Sequence, residues 1–87
     1  MDISIEISMY PLAENEYKKH IWSFVELLKK EPAIRVVTNG MSTQVFGEYD
    51  LATSTVMAAM KQVHTKAQAT VFIFKVIGSD RSHLLVE

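Results

Sequence analysis

The side chains best placed to do chemistry cluster in Met41-Ser42-Thr43-Gln44-Val45-Phe46-Gly47-Glu48-Tyr49-Asp50, where Ser42, Thr43, Gln44 and Glu48 fall within seven positions beside apolar Phe46. Hydroxyl, amide and carboxylate groups at a strand end can hold a small polar ring through donors and acceptors. The stretch holds no nucleophile–base pair and no metal-ligand set, so binding is the expected chemistry rather than catalysis.

Those residues need elements to position them. Ile3, Ile5, Ile7 and Met9 alternate with Asp2, Ser4, Glu6, Ser8 and Tyr10, the period of a strand with one apolar and one polar face. Pro11 ends that strand because proline lacks a ladder donor. Asn15 is the predicted N-cap of a first helix, with Glu16 near its positive end. Tyr17, Ile21, Phe24 and Leu28 recur at spacings of three and four, and Trp22, Val25 and Leu27 widen the stripe. Glu31-Pro32 breaks the helix. Ile34–Thr38 reads as a second strand, and Asn39-Gly40 as a tight hairpin signal leading into a third strand from Met41 to Glu48. Asp50 is the predicted cap of a second helix, with Ala52, Val56, Ala59, Met60, Val63 and Ala67 along one face. Thr70–Ile77 reads as a fourth strand, apolar on both faces.

The resulting β-α-β-β-α-β order predicts an α+β, ferredoxin-like sandwich. Its four-stranded antiparallel sheet would run in the order 4-1-3-2, with both helices on one face. Met41, Thr43 and Val45 would face the helices with Ile3, Ile5 and Ile7. Ser42, Gln44, Phe46 and Glu48 would face outward with Ser4, Glu6 and Ser8. Gly47 would let a helix approach closely. On the open face the fourth strand adds either Phe72 and Phe74 or Val71, Ile73 and Ile77. An exposed apolar edge strand invites pairing, so self-association is expected.

At 87 residues the chain has room for one domain, residues 1–87, and a chain of this size buries only about 60–65% of its unfolded surface. Without cysteine, neither disulfides nor a zinc framework can supplement that core. A partner subunit can. A hydrophobic fraction of 48% leans the same way. The formal net charge of −1 predicts no attraction to nucleic acid or anionic membrane, and no apolar run approaches the roughly 20 residues of a membrane span. The start, Met1-Asp2-Ile3-Ser4, lacks a secretion-signal pattern, so a cytoplasmic address is expected. His20, His64 and His83 show no metal-motif spacing and read as solvated surface histidines. The methionines read as core filler, and Trp22 as core or subunit interface.

Two blocks point to a family. Glu6-Ile7-Ser8-Met9-Tyr10-Pro11-Leu12 and Thr38-Asn39-Gly40-Met41-Ser42-Thr43-Gln44-Val45-Phe46-Gly47-Glu48-Tyr49-Asp50 resemble, in register, the first strand and second block of the YkoF-like thiamine- and hydroxymethylpyrimidine-binding proteins. The likeness extends over nearly the whole chain but fades after Ile77. It implies a ferredoxin-like fold and a cytoplasmic, non-catalytic binder of thiamine or its pyrimidine precursor, without cofactor or metal, acting as carrier or sensor in thiamine salvage. It also implies assembly of single-domain members into dimers or tetramers. The expected ligand-binding residues are Ser8, Tyr10, Asn39, Ser42, Thr43 and Glu48. Ser8, Asn39, Ser42 and Thr43 would pair with ring nitrogens and an exocyclic amine, and Tyr10, Phe46 or Met41 would form a flat or sulfur-bearing wall. Glu48 or Glu6 would favour the thiazolium cation.

Each has a plainer reading. Tyr10-Pro11 ends a strand, Asn39 is a turn residue, and Glu48 is surface charge. Other functions on this fold fit less well. Acylphosphatase chemistry needs an arginine and a glycine-rich loop after the first strand, where this chain has Tyr10-Pro11-Leu12-Ala13. RNA binding needs paired exposed aromatics and a basic surface, where the chain places Ser4, Glu6 and Ser8. The alternative is an oligomeric regulatory or structural module whose ligand is another small molecule such as an amino acid.

Overall fold

Strict alternation in the first ten residues has the expected outcome. Ile3, Ile5 and Ile7 are buried on one side of β1 (Asp2–Pro11), each at 4% exposure or less. The computed structural model describes residues 1–12 and 16–84. The chain continues through α1 (Tyr17–Lys29), β2 (Arg35–Thr38), β3 (Thr43–Glu48), α2 (Tyr49–Lys66) and β4 (Thr70–Ile77). The sheet is four-stranded in the order β2-β3-β1-β4, every pair antiparallel. This is the predicted α+β sandwich, with β1 and β3 central. The expected cap Asn15 lies outside the described residues.

The core forms where the helical stripes meet the apolar sheet face. Phe24 and Leu28 of α1 and Ala52, Val56, Ala59 and Val63 of α2 form one cluster with Ile3, Ile5, Ile7, Ile34 and Val45, and Val25 of α1 is buried as well. Each fully buried Ile, Leu or Phe contributes about 1.5–3 kcal/mol. Two residues assigned to the stripe of α1 lie outside this core: Tyr17 is 49% and Trp22 55% exposed.

Four local expectations change. The Asn39-Gly40 signal predicts a hairpin with positive φ, yet no described residue has one. The connection instead spans Asn39–Ser42, and β3 begins at Thr43. Asn39 Oδ1 accepts the N–H groups of Met41 (2.8 Å) and Ser42 (3.2 Å), closing the loop with its side chain. At α2 the cap is Glu48, not Asp50. Its carboxylate accepts from the N–H of Asp50 (3.0 Å) and Leu51 (3.2 Å), and Asp50 sits in the first turn. Gly47 admits Ile34 rather than a helix, since a Cβ there would lie 2.9 Å from Ile34 Cγ2. His64 is half-buried, its Nε2 2.9 Å from Thr70 O and its ring edge-on to Phe72 at 5.2 Å.

Register settles the faces of β4. Phe72 opposite Met9 and Phe74 opposite Ile7 lie on the helix side, so Val71, Ile73, Lys75 and Ile77 lie on the open side. After Ile77 the chain leaves the sheet and crosses back over β1. Ser4 Oγ donates to Ser79 O and accepts the Arg81 N–H, both at 2.8 Å. Ser4 is therefore buried at 6% exposure on a face predicted to be uncovered.

Candidate functional site

Pairing of Ile7 with Thr43 and of Thr38 with Thr43 brings the ends of β1, β2 and β3 together beneath α1. There a recess of about 200 Å³ opens, and Ser8, Asn39, Ser42 and Thr43 all border it, with Ile21 and Phe24 forming apolar wall. Four of the six predicted site residues thus converge.

Period two separates their side chains. Thr43 shares the helix-side face with Val45 and is 6% exposed. Its Oγ1 lies 3.0 Å from the Thr38 hydroxyl. Two hydroxyls in contact use one hydrogen between them, which leaves the second free to donate. Asn39 spends its amide oxygen on the loop, and its NH2 has no partner among the described residues. Ser42 turns the other way and donates to Glu6 Oε2 at 2.9 Å. The recess therefore presents three donor hydrogens from Asn39 and the threonine pair against an uncharged lining. Thr38 was not among the expected site residues. Its signal was positional, because two threonines flanking a four-residue loop stand opposite one another in the ladder.

Two expected residues are elsewhere. Glu48 pairs with Asp2, five ladder positions from the Ile7–Thr43 pair, or about 17 Å along the strand. Its carboxylate is occupied by the start of α2, and the N–H groups of Asp50 and Leu51 hold it below the usual carboxylate range. It cannot serve a ligand in this recess. Tyr10 lies opposite Val71, is 49% exposed and does not line the recess.

Glu6 lies behind the recess on the open face, in the line Ser42–Glu6–Lys75, with Lys75 Nζ 3.3 Å from Glu6 Oε1. The Ser42 hydroxyl, then Lys75, lower its pKa. A second hollow of about 200 Å³ lies farther along that face, between Glu6, Gln44, Phe46, Lys75 and Arg81. Among the described residues, no group of three or more His, Cys, Asp or Glu side chains is placed to hold a metal. No helix among them is long and apolar enough to cross a membrane.

No protein-family model matches the chain, and no curated protein does. Solved structures do. Protein SP2199 of Streptococcus pneumoniae superposes with a TM-score of 0.84 at 18% identity, covering 97% of this chain and 93% of its own. Protein MJ1052 of Methanocaldococcus jannascii gives 0.80 at 22%, covering 98% and 88%. TM0486 of Thermotoga maritima, a protein provisionally assigned to thiamine biosynthesis or salvage, gives 0.79 at 15%, covering 91% and 85%. At these identities the likeness establishes a shared β-α-β-β-α-β fold across nearly the full chain.

Proposed function

We propose that this chain is a non-catalytic, cytoplasmic binding protein for thiamine or its hydroxymethylpyrimidine moiety, acting as carrier or sensor in thiamine salvage. The observation that carries this reading is the Asn39–Thr43 recess, with its three unengaged donor hydrogens over an apolar wall. An aminopyrimidine presents ring-nitrogen acceptors and one amine donor on a flat apolar body. The Asn39 amide and one threonine hydrogen match the acceptors, and a threonine oxygen accepts from the amine. At about 200 Å³ the recess is smaller than the roughly 300–1,000 Å³ of drug-sized sites, so it fits one ring rather than the whole vitamin. The thiamine-related assignment of the Thermotoga neighbour supports the same direction.

The working unit in this proposal is a homo-oligomer. The two sheet edges differ. β2 is four residues long with exposed Arg35, whereas β4 has eight residues and exposes Val71, Ile73, Phe74, Val76 and Ile77. Short charged edges resist pairing, and long apolar ones invite it. A strand apolar on both sides needs a partner apolar on both sides, and β4 of a second copy supplies that.

Thermal-shift titration tests the ligand. Thiamine and hydroxymethylpyrimidine should each stabilise the protein. Thr43→Val should weaken binding by about 1–3 kcal/mol, or roughly 5- to 150-fold. Stabilisation by amino acids but by no pyrimidine would assign the chain to the regulatory alternative.

A further inference from the structure

The loop that brings Asn39 to the recess has little packing of its own. Gly40 has no side chain and nothing lies within 4 Å of where one would start, and Met41 is 87% exposed. Asn39 and Ser42 bind each other twice. The Asn39 N–H donates to Ser42 O at 3.1 Å, and the Ser42 N–H donates to Asn39 Oδ1 at 3.2 Å. A planar amide whose oxygen is pinned in this way has its NH2 pinned as well. The direction of the recess's amide donor therefore follows the position of Ser42.

Ser42 is held in turn from outside the loop. Beyond the Thr38–Thr43 pair at its base, one side-chain hydrogen bond ties residues 39–42 to another element among the described residues: Ser42 Oγ to Glu6 Oε2 at 2.9 Å. Glu6 stands on central β1, opposite Gln44 of β3 and Lys75 of β4. Lys75 Nζ lies 3.3 Å from Oε1, the oxygen that Ser42 does not use. A carboxylate engaged at both oxygens is restrained against rotation, so β4, β1 and the loop form one line of contacts ending at the Asn39 amide.

We propose that Glu6, backed by Lys75, is a positioning residue of the recess: it sets the direction of the Asn39 amide through Ser42 without touching the ring. The effect on affinity rests on reading the recess as the ring site, whereas the effect on the loop does not. The brace lies within one chain and needs no exposed surface. Lys75 and Arg81 are the charged groups that border the same hollow as Glu6, and Gln44 there is neutral. Protonating Glu6 removes the anionic acceptor that Ser42 uses, so acid should loosen the loop.

Amide NMR of the full chain tests the brace. Glu6→Ala should move the Asn39 side-chain NH2 and the Met41 and Ser42 N–H signals, while those of core Ile3 and Val45 stay in place. Glu6→Gln keeps an oxygen acceptor and should restore most of the wild-type pattern. In the wild type, the Asn39 and Ser42 signals should move together between about pH 7 and about pH 3.5, with one midpoint below the usual carboxylate value. That transition should vanish in Glu6→Gln. Thiamine affinity should fall roughly 5-fold in Glu6→Ala, less in Lys75→Met, and recover in Glu6→Gln. Loop signals unmoved in Glu6→Ala, a pH transition that persists in Glu6→Gln, or equal thiamine affinity in Glu6→Ala and the wild type would each overturn the proposal. A wild type that binds no thiamine would overturn the ligand reading instead, and the loop signals would then decide the brace alone.

Discussion

The Ser42 hydroxyl donates to Glu6 Oε2 at 2.9 Å, tying the loop that borders the Asn39 recess to a central strand on the opposite face of the sheet. With Lys75 3.3 Å from the same carboxylate, this bond holds the Glu6 pKa below its ordinary value. Glu48 and Asp80 shift the same way, through the Asp50 N–H and the Ser82 hydroxyl respectively. A carboxyl with a depressed folded pKa stabilises the fold above its unfolded value and loses that contribution as pH falls through the folded one. Urea midpoints should therefore hold steady down to about pH 5 and decline below about pH 4.5. Glu6→Gln should make that decline shallower, and parallel curves for the two proteins would contradict the linkage.

Glu48 acts as a cap, and its variant should behave as one. Glu48→Gln weakens the acceptor for the Asp50 and Leu51 N–H groups at the start of α2. Melting temperature should fall, while the response to thiamine stays at the wild-type level. A lost thiamine response with unchanged melting temperature would instead place Glu48 in the site.

Gly47→Ala should destabilise the protein. The new methyl would lie 2.9 Å from Ile34 Cγ2, and Ile34 is a buried, β-branched side chain that cannot swing aside. Overpacking of this kind costs about 1–3 kcal/mol. The lower unfolded-state entropy of alanine offsets about 0.4–1 kcal/mol of it. A net loss near 1 kcal/mol in denaturant unfolding is expected. The double variant Gly47→Ala/Ile34→Val should recover part of it.

Ile73→Lys tests the β4 edge. Ile73 is 56% exposed in the single chain, so the substitution should change monomer stability by no more than about 0.5 kcal/mol. A lysine there disfavours edge pairing. Sedimentation should show the wild type as a dimer or larger and the variant as a monomer with unchanged circular dichroism. Identical sedimentation of the two would move the interface off β4.

Periodicity made the architecture legible. Ile3, Ile5 and Ile7 declare a strand face, and Phe24 with Leu28, or Ala52 with Val56, declare helix faces, because burial period is a property of one short segment. Topology followed from element order. The alternation also placed Thr43 inward and Ser42 outward as found. Hydrogen-bond partners were not legible in the same way. Asn39 reads as a positive-φ turn residue and acts through its side-chain oxygen, because the loop is longer than its dipeptide suggests. Glu48 and Asp50 are both competent caps, and the helix start selected between them. Thr38 joins Thr43, and Ser4 clamps Arg81 from 77 positions away. A period assigns a side chain to a face. Its partner on that face depends on strand register and on where the chain returns, which are set only when distant segments pack together.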